Sequence, residues 1–206
     1  MEKLTRKEMD DKRKRAQILG TALEIFSEKG FHSTTMAQIS SASQYPLGTI
    51  YKYFSGKKQM YHEMVIHRVH DLGQILFEIS QDTTVSVSKR LDSILLAQAK
   101  FYKANRHVAR IYISERSNID AVAMPKLNQK VNKLHEKMVT LFEDIFVQGI
   151  SQGDFKPYSS RDLAELFSDI VHSAAWACLF KDESDDEMSK RLSLIFKMFT
   201  TGILKK

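Results

Sequence analysis

The chain has 206 residues, 43% apolar and 27% charged, with 31 Lys+Arg against 25 Asp+Glu and a formal net charge of +6. At roughly 150 residues per domain this is one or two domains, long enough to bury a core, and its balance of apolar and charged residues excludes a largely disordered chain. Eight Gly and three Pro are too few for a loop-rich all-β sandwich or a collagen-like repeat.

The opening segment MEKLTRKEMDDKRKR is highly charged with no apolar run behind it, so it does not read as a secretory signal. The first apolar pattern is Ile18, Leu19, Ala22, Leu23, Ile25 and Phe26, at helical spacing, and Gly30 supplies a stop. Thr35 with Gln38 is a capping box opening a short helix from Met36 to about Ser43. Pro46 suits the first turn of a third helix running to about Phe54. Ser55 then caps a longer helix from Gly56 or Lys57 to about Ser80.

Gln81 to Ser86 is polar and reads as a loop, followed by a helix over Val87 to Asn105 and a short one around His107 to Arg116. Leu127, Val131, Leu134, Met138, Leu141 and Ile145 alternate steps of four and three, and Gly149, Gly153 and Pro157 punctuate the end of that helix. Ser159 with Asp162 and Ser184 with Glu187 open two more helices, Ser160 to Lys181 and Asp185 to Leu204. The expectation is an all-α fold of about nine helices. The longest uncharged apolar stretch, Ile170 to Phe180, falls short of the ~20 residues a membrane span needs, and the single Cys178 forms no intrachain disulfide. A cytoplasmic protein with no membrane partner is expected.

The positive charge is uneven. Met1 to Arg68 holds 12 Lys+Arg and 7 Asp+Glu, or +5, whereas Val69 to Lys206 holds 19 against 18, or +1. A basic first third can offset phosphate repulsion, although a solvated basic face has the same composition. The three short helices there, joined by a tight turn, form a helix-turn-helix candidate. Ala37, Ile39, Ile50 and Phe54 are expected to pack inward, leaving Leu47, Thr49, Tyr51, Lys52 and Tyr53 for other tasks.

The segments Phe31 to Ile39 (FHSTTMAQI) and Gly48 to Lys57 (GTIYKYFSGK) resemble the TetR (tetracycline-repressor-like) family of transcriptional regulators. The family's Gly-Thr-aliphatic-Tyr-x-Tyr-Phe run falls nine residues after an Ile of the preceding helix, the separation of Ile39 and Gly48 here; Ala22 to Phe31 carries the pattern of the first helix. The resemblance covers roughly residues 12 to 62. It implies a homodimer whose paired recognition helices read a near-palindromic double-stranded DNA operator. By the same resemblance Thr34, Thr35, Tyr51, Tyr53 and Lys57 would meet phosphates, and Thr49 a base edge or a phosphate. Leu47 stands at an often polar contact position, with Lys52 beside it. Packing is the alternative for Tyr51. Lys12, Arg13, Lys14 and Arg15 read as an exposed first turn. Gln44 stands where the turn usually has Gly, and Tyr45 where a small apolar residue plugs the motif.

The domains are read as 1–56, for DNA binding, and 57–206. The resemblance implies that the second holds an effector pocket and a dimer interface built from the last two helices. Apolar stripes along those helices supply the interface candidates Leu163, Phe167, Ile170, Ala174, Leu192, Ile195, Phe196 and Phe199; the alternative is that both stripes are ordinary core. Candidates for a pocket taking a small hydrophobic effector are His67, Phe101, Tyr102, Tyr112, Met138, Phe142, His172 and Trp176. Glu63, His67 and His70 share a helix face but lack the HExxH pattern, and the acidic run Asp182 to Glu187 lacks calcium-loop spacing, so no metal and no cofactor are expected. No nucleophile elbow, P-loop or dinucleotide fingerprint is present, which argues against an enzyme. The rival readings are a DNA binder without an effector, and a helical enzyme or interaction module.

Overall fold

The computed structural model describes residues 5–106, 109, 125–181 and 183–204, and within them the chain forms eight helices and no strand. They are α1 (Arg6–Ser33), α2 (Met36–Ser43), α3 (Leu47–Tyr53), α4 (Lys57–Gln81), α5 (Val87–Ala104), α6 (Pro125–Gln152), α7 (Ser160–Phe180) and α8 (Asp185–Ile203). The short helix expected around His107 to Arg116 lies outside the described residues, as do Tyr112 and the side chain of Ala174. No described helix is long and apolar enough to cross a membrane.

Local caps set most of the helix starts. Thr35 and Ser184 each accept the N–H of the residue three positions on, while Gln38 and Glu187 reach back to the cap. The same device opens α1: Thr5 Oγ1 accepts from Glu8 N–H at 3.3 Å, and Glu8 Oε2 accepts from Thr5 N–H at 2.8 Å. From Arg6 onward the charged segment is therefore helical, and Lys12 to Arg15 lie within the body of α1 instead of at its first turn. Gly30, at φ 76°, breaks the helical geometry before the chain turns on to Ser33.

The chain divides into two compact units, Met1–His67 and Arg68–Lys206. The division falls inside α4, whereas the sequence placed it at 56/57. The reason lies in the first turns of α4: Met60, Tyr61 and Met64 are buried, and the Tyr61 ring meets Phe26 at 5.1 Å and Phe31 at 4.6 Å. These residues belong to the core of the first unit.

The second unit is built around five aromatic rings. Phe142 meets Phe167 edge-on at 5.2 Å, and Phe199 closes on Phe167 and Phe146 at 5.8 and 6.1 Å. Phe155 packs on Phe146 at 5.8 Å and lies over the backbone of α6, where a Cβ on Gly149 would stand 2.3 Å from its ring. A glycine is required there. Lys156 N–H then donates to Ile203 O at 2.8 Å, pinning the end of α8 to the α6–α7 loop.

This core takes up part of the residues expected at the interface. Leu163, Phe167 and Leu192 are buried within the unit, and Ile170, Ile195, Phe196 and Phe199 are partly covered. Each of the two helices carries a second apolar row, and those residues face solvent: Leu166 and Trp176 on α7, Leu194 and Met198 on α8. Periodicity identifies an apolar stripe without naming its partner, and here the more continuous stripe faces the unit's own core.

Candidate nucleic-acid interface

The interface is built on α2 and α3. Ile39, Ile50 and Phe54 are buried and fix the two helices, while Ala37, expected to pack inward, is exposed. It occupies the second position of α2, where backbone N–H groups have no intrahelical acceptor, so its small side chain leaves room for an anion to reach them. Thr35 is exposed beside it as the N-cap. Thr34 is not available: it is fully buried and its hydroxyl donates to Gly30 O at 2.7 Å, tying down the end of α1.

The turn is made by Gln44 in the left-handed conformation, φ 59° and ψ 19°, where glycine is the easy choice. Ser40 Oγ donates to Tyr45 O at 2.7 Å and braces it. The Tyr45 ring is partly covered and its hydroxyl donates to Gln17 Oε1 at 2.6 Å, so the departure from a small plug is accommodated by a tether to α1. Pro46 starts α3, its carbonyl accepting from Thr49 and Ile50 N–H at 2.8 and 3.1 Å.

With Ile50 inward, the opposite face of α3 presents Leu47, Gly48, Tyr51 and Lys52 to solvent; Thr49 and Tyr53 flank it, half-buried. Tyr51 is 50% exposed. The Tyr53 hydroxyl is committed: it donates to Asp11 Oδ1 at 2.7 Å, which pushes its pKa up. Lys57 is committed as well. Its Nζ donates to Phe31 O at 2.7 Å and sits 4.4 Å from the centre of the Phe31 ring, neutralising the carbonyl end of α1. Both were expected to meet phosphates, and both are tied inside the unit. Arg15 is likewise occupied, pairing with Glu63 and lying 4.8 Å from the centre of the Phe54 ring. These tethers span dozens of residues and leave no periodic signal.

The described geometry thus offers a helix N-terminus and a helix face carrying Tyr51 and Lys52 side by side. The family model for bacterial regulatory proteins of the tetR family matches residues 18–64, and that for the QacR-like protein C-terminal region matches residues 93–205. The chain belongs to the tetR family. It is a DNA-binding transcriptional regulator and not an enzyme. The HTH-type transcriptional repressor KstR2 of Mycobacterium tuberculosis is 26% identical over 165 residues, 79% of this chain and 78% of that protein. A tetR-family regulator from Mesorhizobium loti shares the fold at a TM-score of 0.79 and 17% identity, covering 98% of this chain and 100% of that one. FadR of Bacillus subtilis, solved with stearoyl-CoA, superposes at 0.67 and 16%, covering 91% and 98%.

In this TetR-family chain the described residues expected to line an effector pocket stand in different surroundings. Phe142 and Tyr102 are buried, with Phe101 edge-on to Tyr102 at 6.0 Å. His172 faces His135 at 5.8 Å, Trp176 is exposed, and His67 belongs to the first unit. Met138 lines a groove of about 530 Å³ between α4 and α6 in the second unit, walled by Val69, Leu76, Phe77, Leu134 and Leu141. The signal for it was the second apolar row of α4, which includes Phe77. Among the described residues no cluster of His, Cys, Asp or Glu could hold a metal ion.

Proposed function

We propose that this regulator is a cytoplasmic repressor that binds a near-palindromic operator as a homodimer and is released by a small hydrophobic effector. The observation that carries the DNA half is the exposed face of α3, where Tyr51 and Lys52 stand beside the open N-terminus of α2. Tyr51 and Lys52 reach the duplex, Thr35 with the N–H groups of Met36 and Ala37 holds a phosphate, and Thr49 and Leu47 lie over the bases. Thr34, Tyr53 and Lys57 hold the head together and make no contact with DNA.

The repressor reading is supported by the likeness to KstR2, and the effector reading by the apolar groove and by the likeness to FadR, which was solved with stearoyl-CoA. The dimer forms through the last two helices, on Leu166, Trp176, Leu194 and Met198, which leave apolar area in solvent that a four-helix bundle would cover. α4 starts in the head unit and continues into the body, so an effector wedged against Val69 and Phe77 moves it. Paired recognition helices must stand about 34–36 Å apart to enter successive grooves, and a shift of a few ångströms lowers operator affinity.

Selection of duplexes from a random pool tests this reading. A palindromic consensus, bound with an affinity that falls steeply with salt, is expected. Failure to enrich any duplex at low salt overturns it.

A further inference from the structure

At one end of the apolar groove the second unit has a smaller cavity of about 170 Å³, and the two share Phe77 and Leu141 as walls. Arg90 of α5 lines this cavity and is only 4% exposed. Its guanidinium donates to Ser80 O at 2.8 Å and to Gln148 Oε1 at 2.7 Å, which closes the carbonyl end of α4. Among the described residues its Nε–H has no acceptor. A buried cation held by two neutral acceptors, with a donor left over, is costly unless an anion completes it.

We propose that Arg90 is the head-group site of the effector, and that the effector is an apolar monocarboxylic acid. Its carboxylate sits in the small cavity on the Arg90 guanidinium, and its hydrocarbon tail passes Phe77 and Leu141 into the groove along α4 and α6. Guanidinium and carboxylate match as planar, two-pronged partners. The charge of the head group is set by what else faces Arg90. Asp144 of α6 lines the same cavity and is exposed, and the Asp82 carboxyl in the loop after α4 lies within electrostatic reach of Arg90. Two acidic neighbours repel a doubly charged phosphate more than a singly charged carboxylate. This inference rests on the reading that the second unit takes a small-molecule effector.

Calorimetric titration of the full chain with decanoate, decan-1-ol and decyl phosphate tests it, with no DNA present. Decanoate is expected to bind at least about tenfold more tightly than the other two, a difference of roughly 1.4 kcal/mol. Arg90→Gln should erase the preference for decanoate over decanol. Because Arg90 also closes α4, a second variant guards against loss of the fold: Asp144→Asn, at an exposed position, should tighten decanoate severalfold and leave decanol unchanged. Equal affinity for decanoate and decanol, tighter binding of decyl phosphate, no decanoate binding at millimolar concentration, or an Asp144→Asn variant that responds like the parent each overturns the proposal. Failure to enrich an operator would sink the DNA reading and leave these titrations unaffected.

Discussion

The Tyr53 hydroxyl, in the last turn of α3, donates to Asp11 Oδ1 on α1 at 2.7 Å, fastening the recognition helix to the first helix across 42 residues of sequence. The Asp11 carboxylate holds the phenolic proton and pushes Tyr53 above its usual value of 10. The folded state therefore binds that proton more tightly than the unfolded chain. The bond's contribution is complete below about pH 10 and is lost as pH rises through the folded-state pKa. Tyr53→Phe should lower Tm by roughly 2–4 °C at pH 7 and by less at pH 11, as followed by circular dichroism. Operator affinity should fall only a few-fold, with the slope of affinity against salt unchanged, because no phosphate contact is lost.

Lys52 and Lys57 should separate cleanly. Lys52 is exposed on the open face of α3, so Lys52→Ala should leave Tm within about 1 °C while reducing the salt slope of operator binding by about one. Lys57 donates to Phe31 O, so Lys57→Ala should lower Tm and leave the salt slope intact. Gel-shift titrations between 50 and 200 mM salt, beside thermal melts, read both. A Lys57→Ala variant that loses a unit of salt slope would return Lys57 to the phosphate backbone.

What was legible in the sequence depended on how far apart the interacting groups lie. Thr35 with Gln38 and Ser184 with Glu187 meet across one helical turn, so the starts of α2 and α8 could be placed to the residue. Thr5 with Glu8 carries the same signature at the start of α1, but the stretch from Asp10 to Arg15 is wholly charged and gives no apolar spacing to support it, so the sequence reads Lys12 to Arg15 as the first turn. The buried set Ile39, Ile50 and Phe54 followed from spacing. The partners of Tyr45, Tyr53, Lys57 and Arg15 did not, since Gln17, Asp11, Phe31 and Glu63 lie 26 to 48 residues away. The groove is hidden for a different reason: it is apolar area left uncovered, and the sequence pattern does not separate a buried ring, Phe142, from the exposed ring of Phe77 that walls the groove.

Gln44 holds a left-handed backbone that costs a residue with a Cβ about 1–2 kcal/mol. Gln44→Gly removes that strain but gives the unfolded chain more freedom, so a net gain of about 0.5–1 kcal/mol is expected. Gln44→Val, β-branched, should lose about 1–2 kcal/mol. Urea unfolding of the two variants orders them, and equal midpoints would show that the turn relaxes freely.

The two apolar rows of α7 and α8 predict opposite defects. Phe167 is fully buried among Phe142, Phe146 and Phe199, so Phe167→Ala should cost roughly 3–5 kcal/mol whether or not the chain is dimeric. Met198 is 70% exposed, so the double change Leu194→Glu with Met198→Glu should leave each subunit folded and shift the mass seen by light scattering from dimer to monomer. Operator affinity should fall at least tenfold with it, because two half-sites no longer bind as one. A double variant that stays dimeric would place the interface elsewhere.

The start of α8 should set the acid limit of the second unit. Arg191 donates to both oxygens of Glu183 and holds that carboxyl below its usual 4.5; Lys103 Nζ, 2.6 Å from Asp185 Oδ1, holds Asp185 below 3.8. Glu187 is held below 4.5 by the Ser184 N–H and hydroxyl, both at 2.8 Å. All three carboxyls are more acidic folded than unfolded, so the folded chain binds fewer protons. Their contribution is complete above the unfolded values of 3.8 to 4.5 and disappears as pH falls through the lower folded ones. Tm should therefore hold from pH 7 to about 5 and drop steeply below about 4. Glu187→Gln keeps the capping geometry without the titrating group, so its Tm at pH 7 should lie close to the parent's. Glu183→Gln should start lower at pH 7, having lost the Arg191 pair, and fall less between pH 5 and 3. If the acid limbs of Glu183→Gln and the parent run parallel, the carboxylates that fail first lie somewhere other than the α8 cap.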